Sequence, residues 1–149
     1  MQIAKQLSVT LVNRPGRLVE LLGALSREKV GVRALSIMDS SERGTLRFVP
    51  DDFARATEVL QESSIRYTMA DVLLVEMTGR SGGFRSICER LASDRLNIDY
   101  AYCSVDPSGG RGGAVAVLKV NDLAKAQRIL SENGSVVRRR PGRRPVYAR

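Results

Sequence analysis

The stretch Leu7-Ser8-Val9-Thr10-Leu11-Val12-Asn13-Arg14-Pro15-Gly16-Arg17-Leu18 contains a strand, a tight turn and the start of a helix. Leu7 to Leu11 alternates apolar and polar residues, the pattern of a half-buried strand. Beyond the turn, Leu18, Leu21, Leu22 and Leu25 recur at the spacing of one helix face. Between the two runs, Pro15 suits a first helical turn because its ring presets φ and it has no N–H to leave unpaired. Asn13 can cap backbone N–H groups, and Gly16 permits a sharp turn and a close approach. The expected product is a helix N-terminus with open amides at Gly16, Arg17 and Leu18, which attracts anions such as a carboxylate. A well-capped turn without a ligand fits the same residues, so the rest of the chain must decide.

Outward from the turn, Gly31 is the expected breaker of the helix, and Val32 to Met38 reads as a strand. Asp39 to Gly44 reads as a turn, and Thr45 to Val49 as the second strand of a hairpin. Asp51 and Asp52 are expected caps of a second helix with Phe53, Ala56 and Leu60 on its apolar face. Ile65 to Met69 is a last strand. The order strand, helix, strand, strand, helix, strand is the ferredoxin-like βαββαβ unit.

The pattern then restarts. Val72 to Met77 is strand-like, and Gly79-Arg80-Ser81-Gly82-Gly83 replaces the first turn. Phe84, Ile87, Cys88 and Leu91 follow Leu18, Leu21, Leu22 and Leu25 by 66 positions. Asp122, Leu123, Ala126 and Leu130 follow Asp52, Phe53, Ala56 and Leu60 by 70. The four extra residues fall in the hairpin turn 106–113, where an insertion does little harm. The chain is therefore expected to be α+β, with two ferredoxin-like βαββαβ repeats, antiparallel sheets and helices on one face. The expected limits are 1–70, 71–137 and a basic tail at 138–149. Units this small are expected to share an interface.

The net charge of +8 is concentrated in that tail: Arg138, Arg139, Arg140, Arg143, Arg144 and Arg149, with no acid among them, leave a body of +2. With no histidine, the chain lacks the commonest general base and metal ligand. Cys88 and Cys103 form no metal-type pair and read as small core residues. No catalytic triad, cofactor motif or metal cluster stands out, so no enzyme and no cofactor is expected. No run reaches membrane-spanning length, and the start carries no signal-like apolar stretch, so a cytoplasmic protein is expected.

Asn13-Arg14-Pro15-Gly16 followed by Leu18, with Val30-Gly31-Val32 and Leu96-Asn97-Ile98 leading into strands, resembles a tandem pair of ACT domains over residues 5 to about 137. The resemblance implies a regulatory module that binds a small amino acid between units. In serine-sensing members one Asn comes from the strand–helix turn and a second precedes the partner unit's second strand. By position these are Asn13 in repeat one and Asn97 in repeat two, where the other repeats carry Gly79 and Gly31. The resemblance thus implies one site from Asn13, Arg14, Pro15, Gly16, Arg17 and Leu18 with Asn97 and Ile98. Leu11 stands where serine sensors carry His, which leaves another amino acid open. A homodimer paired at sheet edges and an enzyme partner are the further expectations.

Nucleic-acid binding is the competing class, since RNA-recognition motifs share the element order. Their central strands display stacking aromatics. Arg43-Gly44-Thr45-Leu46-Arg47-Phe48-Val49 offers one, out of register, and Arg111 to Val117 none. Tyr100 and Tyr102 share a strand face, either as packing or as a pocket wall beside Asn97. The arginine tail is the one argument for a nucleic acid, and a solvated or partner-docking tail is the reading preferred.

Overall fold

The computed structural model describes residues 1–40, 42–77, 83–105 and 113–132. The glycine turn at 79–82, the insertion at 106–112 and the arginine tail lie outside the described residues. The elements are β1 (Gln2–Val12), α1 (Arg17–Arg27), β2 (Val32–Ser40), β3 (Arg43–Pro50), α2 (Phe53–Glu62), β4 (Tyr67–Met77), α3 (Gly83–Ser93), β5 (Ile98–Val105), β6 (Ala114–Val120) and α4 (Leu123–Glu132).

The expected βαββαβ order is present, but the repeats do not carry separate sheets. One antiparallel sheet runs in the order β2-β3-β1-β4-β6-β5. The strands expected at Ile65–Met69 and Val72–Met77 are a single strand, β4, because Ala70 and Asp71 continue the pleat and supply no turn residue between them. Its first half pairs with β1 through Val9↔Tyr67 and Leu7↔Met69, completing repeat one. Its second half pairs with the beginning of β1, from Gln6↔Ala70 to Gln2↔Leu74. Gln2–Gln6 thereby occupies the fourth-strand position beside repeat two. Lys5 lies opposite Asp71, with an ion pair of 2.8 Å. These two residues are 66 positions apart, the offset of the repeat, so their pair lies on the pseudo-twofold axis.

Alternation along the two shared strands assigns the cores. Leu7, Val9, Leu46 and Phe48 pack under α1 and α2 with Leu21, Leu25, Ala56 and Leu60. Leu73, Leu118 and Val120 pack under α3 and α4 with Ile87, Leu91, Ala126 and Leu130. All four helices thus cover one face, as expected. On the other face Ala34, Val49, Val72, Leu74, Val115 and Val117 form a third cluster. The sheet curls around it until the edge strands β2 and β5 approach each other. Cys88 is half-buried, whereas Cys103, on the edge strand β5, is exposed and not the core residue expected. No helix among the described residues is long and apolar enough to cross a membrane.

Two end signals differ from expectation. The residue that stops α1 is Lys29, at φ 58°, with the Val30 N–H returning to the Leu25 carbonyl at 2.9 Å. Arg95, at φ 56°, repeats the device after α3. Gly31 has a different use: its N–H donates to Asp51 Oδ1 at 2.8 Å, and an added Cβ would collide with that carboxylate. Asp51 is thereby occupied, and Asp52 alone caps α2, accepting from the Arg55 N–H at 2.9 Å. Asp122 caps α4 in the same way. A left-handed conformation costs an L-residue roughly 1–2 kcal/mol that glycine avoids. Lys29→Gly is therefore expected to stabilise the fold by about 0.5–1 kcal/mol, after glycine's own entropy loss. Urea unfolding of the two chains checks this.

Candidate functional site

The β1–α1 turn is built as its residues suggest, with one shift. Gly16, at φ 90°, is the N-cap, so Pro15 precedes the helix and does not occupy its first turn. That φ is why glycine stands here. A glycine cap offers no side chain, and α1 has no side-chain cap. The Glu20 N–H reaches the Gly16 carbonyl at 2.9 Å and the Arg17 N–H turns back to Arg14 at 3.4 Å. A helix leaves its first N–H groups without intrahelical partners, so Leu18 and Val19 point theirs outward from this end. The N-cap position itself is Gly16 and not Asn13, whose N–H donates to the Glu42 carbonyl at 3.0 Å, tying the turn to the β2–β3 connection.

Beside the turn is a cavity of about 290 Å³. Leu11, Leu18, Ile37 and Leu46 give it apolar walls, and Asn13 and Arg17 are its polar lining residues. Arg14, Pro15 and Gly16 shape the turn without lining it. Arg17 pairs with Glu20 at 3.1 Å on the exposed helix surface. Around the outer wall, Val12, Ile37 and Met38 are exposed, the last two by 52% and 55%, which is unusual for apolar side chains on a strand beside a pocket.

Asn97 and Ile98 lie elsewhere. The Asn97 N–H donates to Asn121 Oδ1 at 3.1 Å, and its side-chain amide donates to Asp99 at 2.9 Å. Ile98 stands opposite Val120 and packs into the second core. Neither lines the cavity at the turn, so one chain does not bring Asn13 and Asn97 together. The Asn97–Asn121 bond is the counterpart of Gly31–Asp51.

Motif reading missed a larger groove of about 1200 Å³. It opens where β1 runs past the start of β4, leaving Thr10, Leu11 and Val12 paired on the β3 side only. Ser8, Thr10, Thr45 and Thr68 supply hydroxyls, and Arg43, Arg47 and Arg66 supply charge. The Arg47 guanidinium lies 4.2 Å from the centre of the Tyr100 ring. Tyr100 in turn accepts a hydrogen bond of 2.6 Å from the Gln6 amide, and the Tyr102 hydroxyl donates to Gln6 Oε1 at 2.8 Å. Gln6 is fully buried. Burial, followed by the neighbouring Tyr100, pushes the Tyr102 phenol well above its ordinary pKa. The two tyrosines do share a face, but both bond to Gln6, Tyr100 lines this groove and Tyr102 packs against the third cluster. The available signal was the polar alternation of Ser8 and Thr10 opposite that of Arg43, Thr45 and Arg47.

The sequence matches the ACT domain pair family over residues 1–138. No curated protein matches it. Among solved structures, protein BT0572 from Bacteroides thetaiotaomicron superposes with a TM-score of 0.78 at 26% identity, over 87% of this chain and 88% of that one. The ligand-free regulatory subunit of aspartate kinase from Thermus thermophilus superposes with a TM-score of 0.61 at 15% identity, over 89% and 97%. The corresponding subunit from Thermus flavus gives 0.57 at 16%, over 89% and 92%. These last two establish a shared fold. With its two repeats, its strand–turn–helix signature and a family match spanning nearly its whole length, the chain belongs to the ACT domain pair family.

Proposed function

We propose that this protein is a non-catalytic regulatory module that binds a small amino acid at the β1–α1 turn. The observation that carries this reading is the α1 N-terminus without a side-chain cap, beside a cavity of about 290 Å³. Open helix amides suit the ligand carboxylate, and the Asn13 side-chain oxygen suits its ammonium. The apolar walls suit a small aliphatic portion. The exposed β2 edge supports closure of the site by a second copy, which is the one arrangement in which Asn97 joins Asn13. The repeats then act as units 1–70 and 71–137, with 138–149 as an appended tail. The same β2 edge supports a second reading, in which the protein is a regulatory subunit that holds an enzyme partner without a ligand of its own.

The test is a thermal-shift screen against the twenty amino acids, with gel filtration before and after ligand. A ligand at a hundredfold excess over Kd stabilises the native state by about 2.7 kcal/mol. A shift with one or two amino acids, lost in Asn13→Ala, is the expected outcome. Loss in Asn97→Ala as well, together with a dimer, supports the shared site. Retained affinity in Asn97→Ala rejects that pairing, and no shift with any amino acid favours the partner-holding reading.

A further inference from the structure

The sheet groove has an internal control, because the same fold positions occur twice in the chain. Ser8 of repeat one corresponds to Leu74, Thr45 to Val115, and Arg47 to Val117. The repeat-two residues are buried and apolar, at 2%, 5% and 0% exposure, and belong to the cluster inside the curled sheet. The fold therefore tolerates a dry, aliphatic face at these positions. Repeat one has hydroxyls and a guanidinium there, around an open groove of about 1200 Å³.

Arginine predominates among the charged residues of the groove. Five arginines line it and one carboxylate, Glu20, which is already paired with Arg17. Arg66 has no ion pair among the described residues. Arg47 touches the Tyr100 ring and the Met38 sulfur, neither of which neutralises it. A solvated surface gains nothing from gathering like charges in a concavity, where low-dielectric walls focus their field. Arg47 is also preorganised. It lies on Tyr100, and Tyr100 is fixed by a buried glutamine. Guanidinium groups held in place bind oxyanions through paired N–H donors, and the hydroxyls of Ser8, Thr10 and Thr45 can donate to the remaining oxygens.

We propose that this groove is a binding site for a small polyanion, a molecule carrying two or more phosphate or carboxylate groups, with Arg47 and Arg66 as its principal contacts. Leu11, Val12 and Arg17 line both this groove and the cavity at the turn, but Arg47 and Arg66 line the groove alone, so the proposal stands whether or not the turn takes a ligand.

The test is calorimetric titration of the full chain with inorganic pyrophosphate and, in a second arm, with citrate, at low and at moderate salt. The arginine tail is a competing anion site, so each titration is repeated on a chain with Arg138→Gln, Arg139→Gln and Arg140→Gln. Saturable binding that survives the tail substitutions is expected. It should weaken about tenfold in Arg66→Gln and at least as much in Arg47→Gln, and should fall as salt rises. Arg66 is exposed and its side chain has no ion pair among the described residues, so its variant remains informative even where Arg47→Gln lowers stability. Preference for pyrophosphate or for citrate identifies the oxyanion. Binding that vanishes with the tail substitutions, that ignores both groove substitutions, or that appears only with a long RNA overturns the proposal.

Discussion

Phe48→Ala is expected to destabilise the protein by about 3–5 kcal/mol, the usual range for removing a buried aromatic ring. Phe48 is fully buried, stands between Leu7 on β1 and Leu35 on β2, and packs with Leu21, Leu25 and Leu60 beneath α1 and α2. The size of the loss is the lesser part of the prediction. Phe48 belongs to repeat one, yet its neighbour Leu7 is on the strand that also pairs Ile3 with Leu73 of the second core. A core that fails under α1 and α2 therefore releases a strand on which repeat two depends. Heating the variant should show one transition displaced as a whole, by about 2–4 °C for each kcal/mol lost in a chain of this size. Leu118→Ala, at the corresponding position of repeat two, should move the same single transition. Calorimetry checks both. Two separate transitions, of which Phe48→Ala moves one, would mean that the shared strands do not couple the repeats.

Periodicity made the elements legible because both helix and strand signals are local. The spacing of Leu18, Leu21, Leu22 and Leu25 needs no knowledge of what packs against them, and its recurrence in Phe84, Ile87, Cys88 and Leu91 exposes the duplication. The sharing of β1 and β4 was not legible. Whether Gln2–Gln6 pairs beside repeat two is a long-range choice, and its local sign, the Lys5–Asp71 pair on the axis, means nothing until the register is known. The turn was legible through Gly16, whose positive φ is a local demand of the backbone. Asn97 was not, because the resemblance supplies a residue type and a position but not the distance between two units. The groove was hidden for a related reason. Its arginines are spread over α1, β3 and the approach to β4, and they converge only in the folded chain.

Gln6→Ala is expected to cost about 2–4 kcal/mol, from the cavity it leaves together with two lost hydrogen bonds worth about 1 kcal/mol each. Its amide serves both tyrosines at once, donating to Tyr100 and accepting from Tyr102. Val72 stands at its pseudo-symmetric position and is equally buried, so the site can hold an aliphatic side chain. Gln6→Leu keeps most of the volume and should therefore cost less than Gln6→Ala. The two variants should also separate in alkali. Tyr102 is raised mainly by burial, so in the native state it keeps its proton above pH 10, where an unfolded tyrosine loses it. The stability this contributes is complete below about pH 10 and is lost as pH rises from there towards the raised value, because the unfolded chain binds fewer protons. Absorbance titration should therefore show a late tyrosine in the parent protein. Gln6→Leu leaves the phenol buried and should keep the delay, whereas Gln6→Ala admits water and should shorten it. If both variants titrate like the parent, the glutamine holds neither the packing nor the dryness around Tyr102. In that case the positioning of Arg47 through Tyr100 loses its anchor as well, and with it the preorganisation of the groove.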